Sequence, residues 1–219
     1  MKKIAVILAG CGVQDGSEIH ETVATLLAIQ RAGHTYDCFA PDTLQHEVVD
    51  HTSGQVMNEE RNVLTEAARI ARGDIQPLDS YRPEDYDALI FPGGNGVAKN
   101  LFTYAFDGVD CTIDPMVRQV ILDTYAEGAP IGAICISPML IVKAFEDMDT
   151  TPTVTLGDAA DPAADVEQLG GRHVSKAADD ICVDEANRIV TTPAYMTAQH
   201  IGEAAAGIEK LVARVIAMA

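Results

Sequence analysis

Short, unbroken apolar runs that stop at glycine or another small turn residue constrain this chain most. Residues 4–9 end at Gly10-Cys11-Gly12, the strand read over 87–91, apolar from Ala88 onward, ends at Pro92-Gly93-Gly94, and residues 131–134 end at Cys135. Runs this short and without alternation read as strands buried on both faces, as when helices cover a parallel sheet on either side. Helical segments lie between them. In residues 15–32, Ile19, Val23, Leu26 and Leu27 share one helical face, and Gly33 supplies the stop. Further helices are predicted over 58–72, 115–127, 138–145, 161–169 and 201–218. Further strands are predicted over 35–40 and 153–156, with a hairpin from 180–184 and 188–192. The order predicts an α/β fold with a mainly parallel sheet and helices on both faces. A small hairpin around residues 51–54, with the helix at 58–72, reads as an insertion near 43–72 in a single domain of residues 1–219.

Charge narrows the function. The chain carries 15 Lys and Arg against 33 Asp and Glu, a net charge of −18. Such a surface repels phosphate backbones and anionic lipid, so neither nucleic acid nor a membrane is an expected partner. No apolar run approaches the ~18 residues of a spanning helix, and the N-terminal apolar run reads as a first strand rather than a signal peptide. The cysteines stand at 11, 38, 111, 135 and 182, an odd set without a C-x-x-C pair. That argues against a disulfide framework and predicts a reducing compartment, the cytoplasm. No His, Cys and carboxylate set has metal-ligand spacing, so neither metal nor cofactor is expected.

The segment Ala133-Ile134-Cys135-Ile136-Ser137-Pro138 carries the most chemistry. Small residues two positions either side of a nucleophile permit a strained strand-to-helix turn, the nucleophile elbow. Ser137 is placed to cap the next helix and Pro138 suits its first turn. Cys135 would then lie at a helix N-terminus, which favours thiolate over thiol. The competing reading is a buried core cysteine. Gly93-Gly94-Asn95 ends a second strand, and its N–H groups, with that of Ile136, could hold an oxyanion; taken alone, the segment is better explained as a plain turn. Glu18 and Glu21 lie early in the first helix. Asp15 and Glu18 have capping-box spacing, which explains Glu18 structurally and leaves Glu21 open. Cys11 ends the first strand and is a second thiol candidate. His20, His173 and His200 are scattered.

Several long segments resemble one family. They include Gly10-Cys11-Gly12-Val13, Asp15-Gly16-Ser17-Glu18-Ile19-His20-Glu21, Phe39-Ala40-Pro41-Asp42, Arg61-Asn62-Val63-Leu64, Pro92-Gly93-Gly94, Lys99-Asn100-Leu101 and Thr191-Thr192-Pro193-Ala194-Tyr195-Met196. End to end, the chain resembles the ElbB glyoxalases, also called isoprenoid biosynthesis proteins with an amidotransferase-like domain. These lie in the PfpI-like superfamily related to class I glutamine amidotransferases. The resemblance implies a flavodoxin-like three-layer sandwich, a homodimer, Cys135 as nucleophile and a glutamate beside it, Glu21 first and Glu18 second. It implies a cofactor-independent glyoxalase that converts glyoxal, a small dicarbonyl, to glycolate through a Cys135 hemithioacetal. The alternatives are a deglycase acting on glyoxal adducts, and a redox-sensing cysteine without turnover. Many relatives carry a histidine directly after the cysteine or on the segment after the next strand. Here those positions read Ile136 and Gly157-Asp158-Ala159, which argues against protease and glutaminase chemistry.

Overall fold

The computed structural model describes residues 1–158 and 160–219. Ala159, in the segment where relatives carry a histidine, lies outside the described residues. In chain order the regular elements are β1 (Lys3–Ile7), α1 (Ile19–Arg31), β2 (Thr35–Ala40), β3 (Val49–Asp50), β4 (Gln55–Val56), α2 (Val63–Ile70), β5 (Ile75–Pro77) and β6 (Ala88–Phe91). Then come α3 (Tyr104–Asp107), α4 (Pro115–Ala126), β7 (Ile131–Ile134), α5 (Ser137–Ala144), β8 (Thr153–Val154), α6 (Ala160–Gln168), β9 (Arg172–His173), β10 (Cys182–Asp184), β11 (Ile189–Thr192) and α7 (Ile201–Met218).

One sheet runs in the order β10-β11-β7-β6-β1-β2-β5, parallel except for the β10–β11 hairpin. The fold is the α/β sandwich that the apolar runs imply, and alternation along each strand divides the core in two. Ala5, Ile7, Leu89, Phe91, Ile131, Ala133 and Ile189 face the layer that holds α4 and α5. Ile4, Val6, Ala88, Ile90, Ile134 and Val190 face α1, α2 and α7. This is the period-two geometry of a strand covered on both sides. From β1 the chain moves outward to β2 and β5, then returns to β6 on β1's other side. The reversal opens a crevice at the carboxyl ends of β1 and β6, where ligands of open α/β sheets bind.

Three expectations change. The first helix begins at Ile19, not near Asp15, because residues 12–17 close on themselves: Gly12 N–H donates to Ser17 O and Gly16 N–H to Gly12 O. The helix over 58–72 starts only at Val63, where Asn62 accepts from Thr65 N–H. The strand over 153–156 shrinks to β8, which pairs with β9 outside the main sheet. The small hairpin expected around residues 51–54 forms as β3 and β4. It is tied to the first loop by Val49 N–H on Asp15 Oδ2 (2.7 Å), while Lys99, from the segment after β6, pairs with Glu47 and donates to Gln14 O (2.8 Å). No helix among the described residues is long and apolar enough to cross a membrane.

Candidate active site

Three crossing loops build the crevice. Glu18 N–H donates to Gly93 O (2.8 Å), Gly96 N–H to Gly16 O (3.0 Å) and Asn95 N–H to Val13 O (2.7 Å). Ser137 Oγ donates to Pro92 O (2.7 Å). Ser137 is therefore not the helix cap the sequence predicts: Ile136 occupies the N-cap, and the hydroxyl instead fastens the elbow to the β6 loop. Cys135 itself has φ 61°, the left-handed region that a non-glycine residue adopts only where its surroundings hold it. Its N–H donates to Thr192 O (3.0 Å), so the end of β11 lies against the elbow.

Glu21 enters from the first turn of α1 and is completely buried. Gly93 N–H donates to its Oε2 (2.9 Å) and Tyr195 N–H to its Oε1 (3.2 Å), and the Cys135 side chain lies beside it. Burial, then the charge of Glu18, push its carboxyl up to about 8. Glu18 stands apart from the thiol. Its Oε2 accepts Glu21 N–H (2.7 Å), so Glu18 is the cap of α1. The predicted Asp15–Glu18 capping box does not form, because Asp15 accepts from Val49 N–H of β3 instead. We expect Glu18→Gln to keep an acceptor for that N–H and to cost under ~1 kcal/mol. Removing the charge should lower the Glu21 midpoint, read by infrared titration of its carboxyl.

The oxyanion set also changes. Gly93 N–H is committed to Glu21, and Asn95 is exposed with its N–H committed to Val13. The N–H groups of Gly94 and Ile136 are the ones turned to Cys135 Sγ. They pull the thiol pKa down, yet burial and the Glu21 charge outweigh them and hold it well above the ordinary thiol range. The expected lowering by the helix N-terminus is thus reversed. Two acids in contact keep at least one proton between them, and that proton belongs to the pair. Cys11, half-buried, is also pushed up by burial and has Glu66, Arg69 and Asp15 around it rather than Glu21. No cluster among the described residues has the makeup of a metal site. Sequence reasoning gave Tyr195 no role, although the residue lies in the Thr191–Met196 segment that carries the family resemblance.

A parallel α/β sandwich with a cysteine elbow and a buried glutamate facing it defines the class. The chain belongs to the DJ-1/PfpI family, whose model matches residues 2–213. It is 44% identical over 206 residues to the human glutamine amidotransferase-like class 1 domain-containing protein 3, mitochondrial, covering 90% of this chain and 77% of that protein. It is 40% identical over 220 residues to the rat ES1 protein homolog, mitochondrial, covering 98% and 83%. Among solved structures it resembles an isoprenoid biosynthesis protein with amidotransferase-like domain from Ehrlichia chaffeensis. That match has a TM-score of 0.91 and 37% identity, and covers 98% of this chain and 99% of that one. These relatives overturn the expected cytoplasmic location, since both mammalian proteins are mitochondrial by name. Free cysteines signal reducing surroundings without specifying a compartment.

Proposed function

We propose that the protein is a glutathione-independent glyoxalase converting glyoxal to glycolate. The observation that carries this reading is the completely buried Glu21 carboxyl set against Cys135: a Cβ on Gly93 would stand 2.5 Å from Glu21 Oε2 and 2.4 Å from Cys135 Cβ. Burial pushes that carboxyl up to about 8. A carboxyl poised near neutrality can both give and take a proton. Sγ adds to one aldehyde carbon, and the proton shared by the pair goes to the new alkoxide, leaving Glu21 ionised. Glu21 then removes the hydrogen from the hemithioacetal carbon and returns it to the neighbouring carbon through an enediol, while the hydroxyl proton passes between the two oxygens. The product is a glycolyl thioester. Water hydrolyses it, releasing glycolate and restoring the thiol. The N–H groups of Gly94 and Ile136 support the oxyanion.

The sensor reading has less support, because ready oxidation requires an exposed thiolate and this thiol is buried and raised. The test is direct. Purified protein incubated with glyoxal and no glutathione should yield glycolate by NMR. Glyoxal recovered unchanged would defeat the proposal.

A further inference from the structure

Tyr195 makes two hydrogen bonds to adjacent residues of α1. Its peptide N–H donates to Glu21 Oε1 (3.2 Å), and its hydroxyl lies 2.8 Å from His20 Nδ1. With the imidazole proton on Nε2, the phenol donates to Nδ1. The turn that carries Tyr195 is strained: Ala194 is fully buried at φ 42° and is separated by Pro193 alone from Thr192, the last residue of β11, which holds the Cys135 N–H. A backbone in that region persists only where its surroundings hold it. His20 itself is exposed, with 54% of its side chain open to solvent, so core packing does not account for its contact with Tyr195.

We propose that His20 and Tyr195 form a clamp that positions Glu21: by holding the phenol on α1, His20 fixes the Tyr195 peptide N–H on the second carboxyl oxygen. The clamp deepens the glyoxalase reading, since it acts on the group assigned to proton transfer. His20 is a positioning residue and touches no reacting atom. The titratable groups facing Glu21 are Cys135 from the elbow, Glu18 from the N-cap and the Tyr195 phenol from the turn. His20 also faces Glu18, with Nδ1 4.0 Å from Oε1, while Ile201, Ala204, Ala205 and Ile208 of α7 line the apolar groove beside it.

The test uses the full chain carrying Cys135→Ser, which removes the coupled thiol and lets Glu21 titrate alone. Its carboxyl band in infrared difference spectra is assigned by its disappearance in Glu21→Gln. An N–H bonded to a carboxylate favours the charged form, so loosening it raises the pKa. His20→Ala should raise the midpoint by about one pH unit, and Tyr195→Phe should do the same. The double variant should move it no further than either single one. His20→Asn, whose Oδ1 stands near the position of Nδ1, should return it. A midpoint unmoved by either single variant, an additive double variant, or a failure of Asn to restore it would overturn the clamp. The titration needs no turnover, so a chain that makes no glycolate would defeat the glyoxalase reading and leave the clamp to be decided by the midpoints alone.

Discussion

Cys135→Ala should abolish glycolate formation, and Glu21→Gln should lower it by ~100- to 10,000-fold, the usual worth of general acid–base catalysis. The two losses have different origins. Removing Sγ removes the covalent intermediate. Gln leaves the thiol in place and still accepts one of the N–H donors from Gly93 and Tyr195, but it can neither take the hemithioacetal proton nor return it. A burst of thiol consumption by glyoxal without glycolate release is therefore expected in Glu21→Gln and not in Cys135→Ala. Equal glycolate rates in wild type and Glu21→Gln would remove the carboxyl from the mechanism.

Glu21→Gln also changes how stability depends on pH. The folded carboxyl is raised to about 8 from an ordinary 4.5, so between those values the folded chain holds a proton that the unfolded chain has released. The stabilisation is fully present below pH ~4.5 and is lost as pH rises through the folded value, at up to ~1.4 kcal/mol per unit. Glu21→Gln starts lower, because one buried N–H is left facing an amide NH₂, at a cost of ~1–3 kcal/mol. It should lack this slope. Stabilities from urea unfolding at pH 5 to 8 should converge and then cross, since the slope removes more over that range than the ~1–3 kcal/mol by which Glu21→Gln starts lower; parallel curves would show that Glu21 is not raised.

What the sequence made legible followed from periodicity and backbone stereochemistry. The unbroken runs at β1, β6 and β7 announced a sheet covered on both faces, and the small residues around Cys135 announced the elbow that φ 61° bears out. The errors came where side chains chose distant partners over local ones. Asp15 and Glu18 have the spacing of a cap, but Asp15 accepts from Val49, 34 residues away, and the helix starts a turn later. Ser137 looks like a cap and instead holds Pro92, 45 residues back. The thiol's environment was misread for the same reason. A helix N-terminus is local and visible, whereas the burial and the Glu21 charge that outweigh it come from α1 and the β6 loop.

Gly93→Ala should be nearly as damaging as loss of a reacting group, although it removes none. A Cβ at this position would stand 2.4 Å from Cys135 Cβ, 2.5 Å from Glu21 Oε2 and 2.9 Å from Ile134 O. No flexible chain end can absorb all of this. Cys135 Cβ and Ile134 O are fixed by the elbow, and Glu21 is held by Gly93 N–H and Tyr195 N–H. The loop must retreat by most of an ångström, and Gly93 N–H leaves the carboxylate as it goes. Overpacking of this kind costs ~1–3 kcal/mol, and a 1 Å misplacement at the reacting centre costs about 100-fold in rate. Gly202→Ala is the control. Near the start of α7 its added methyl would meet only the His200 ring, at 3.4 Å, so stability should hold or rise. Glycolate rates from Gly93→Ala within threefold of wild type would mean that the β6 loop does not set the distance between thiol and carboxyl.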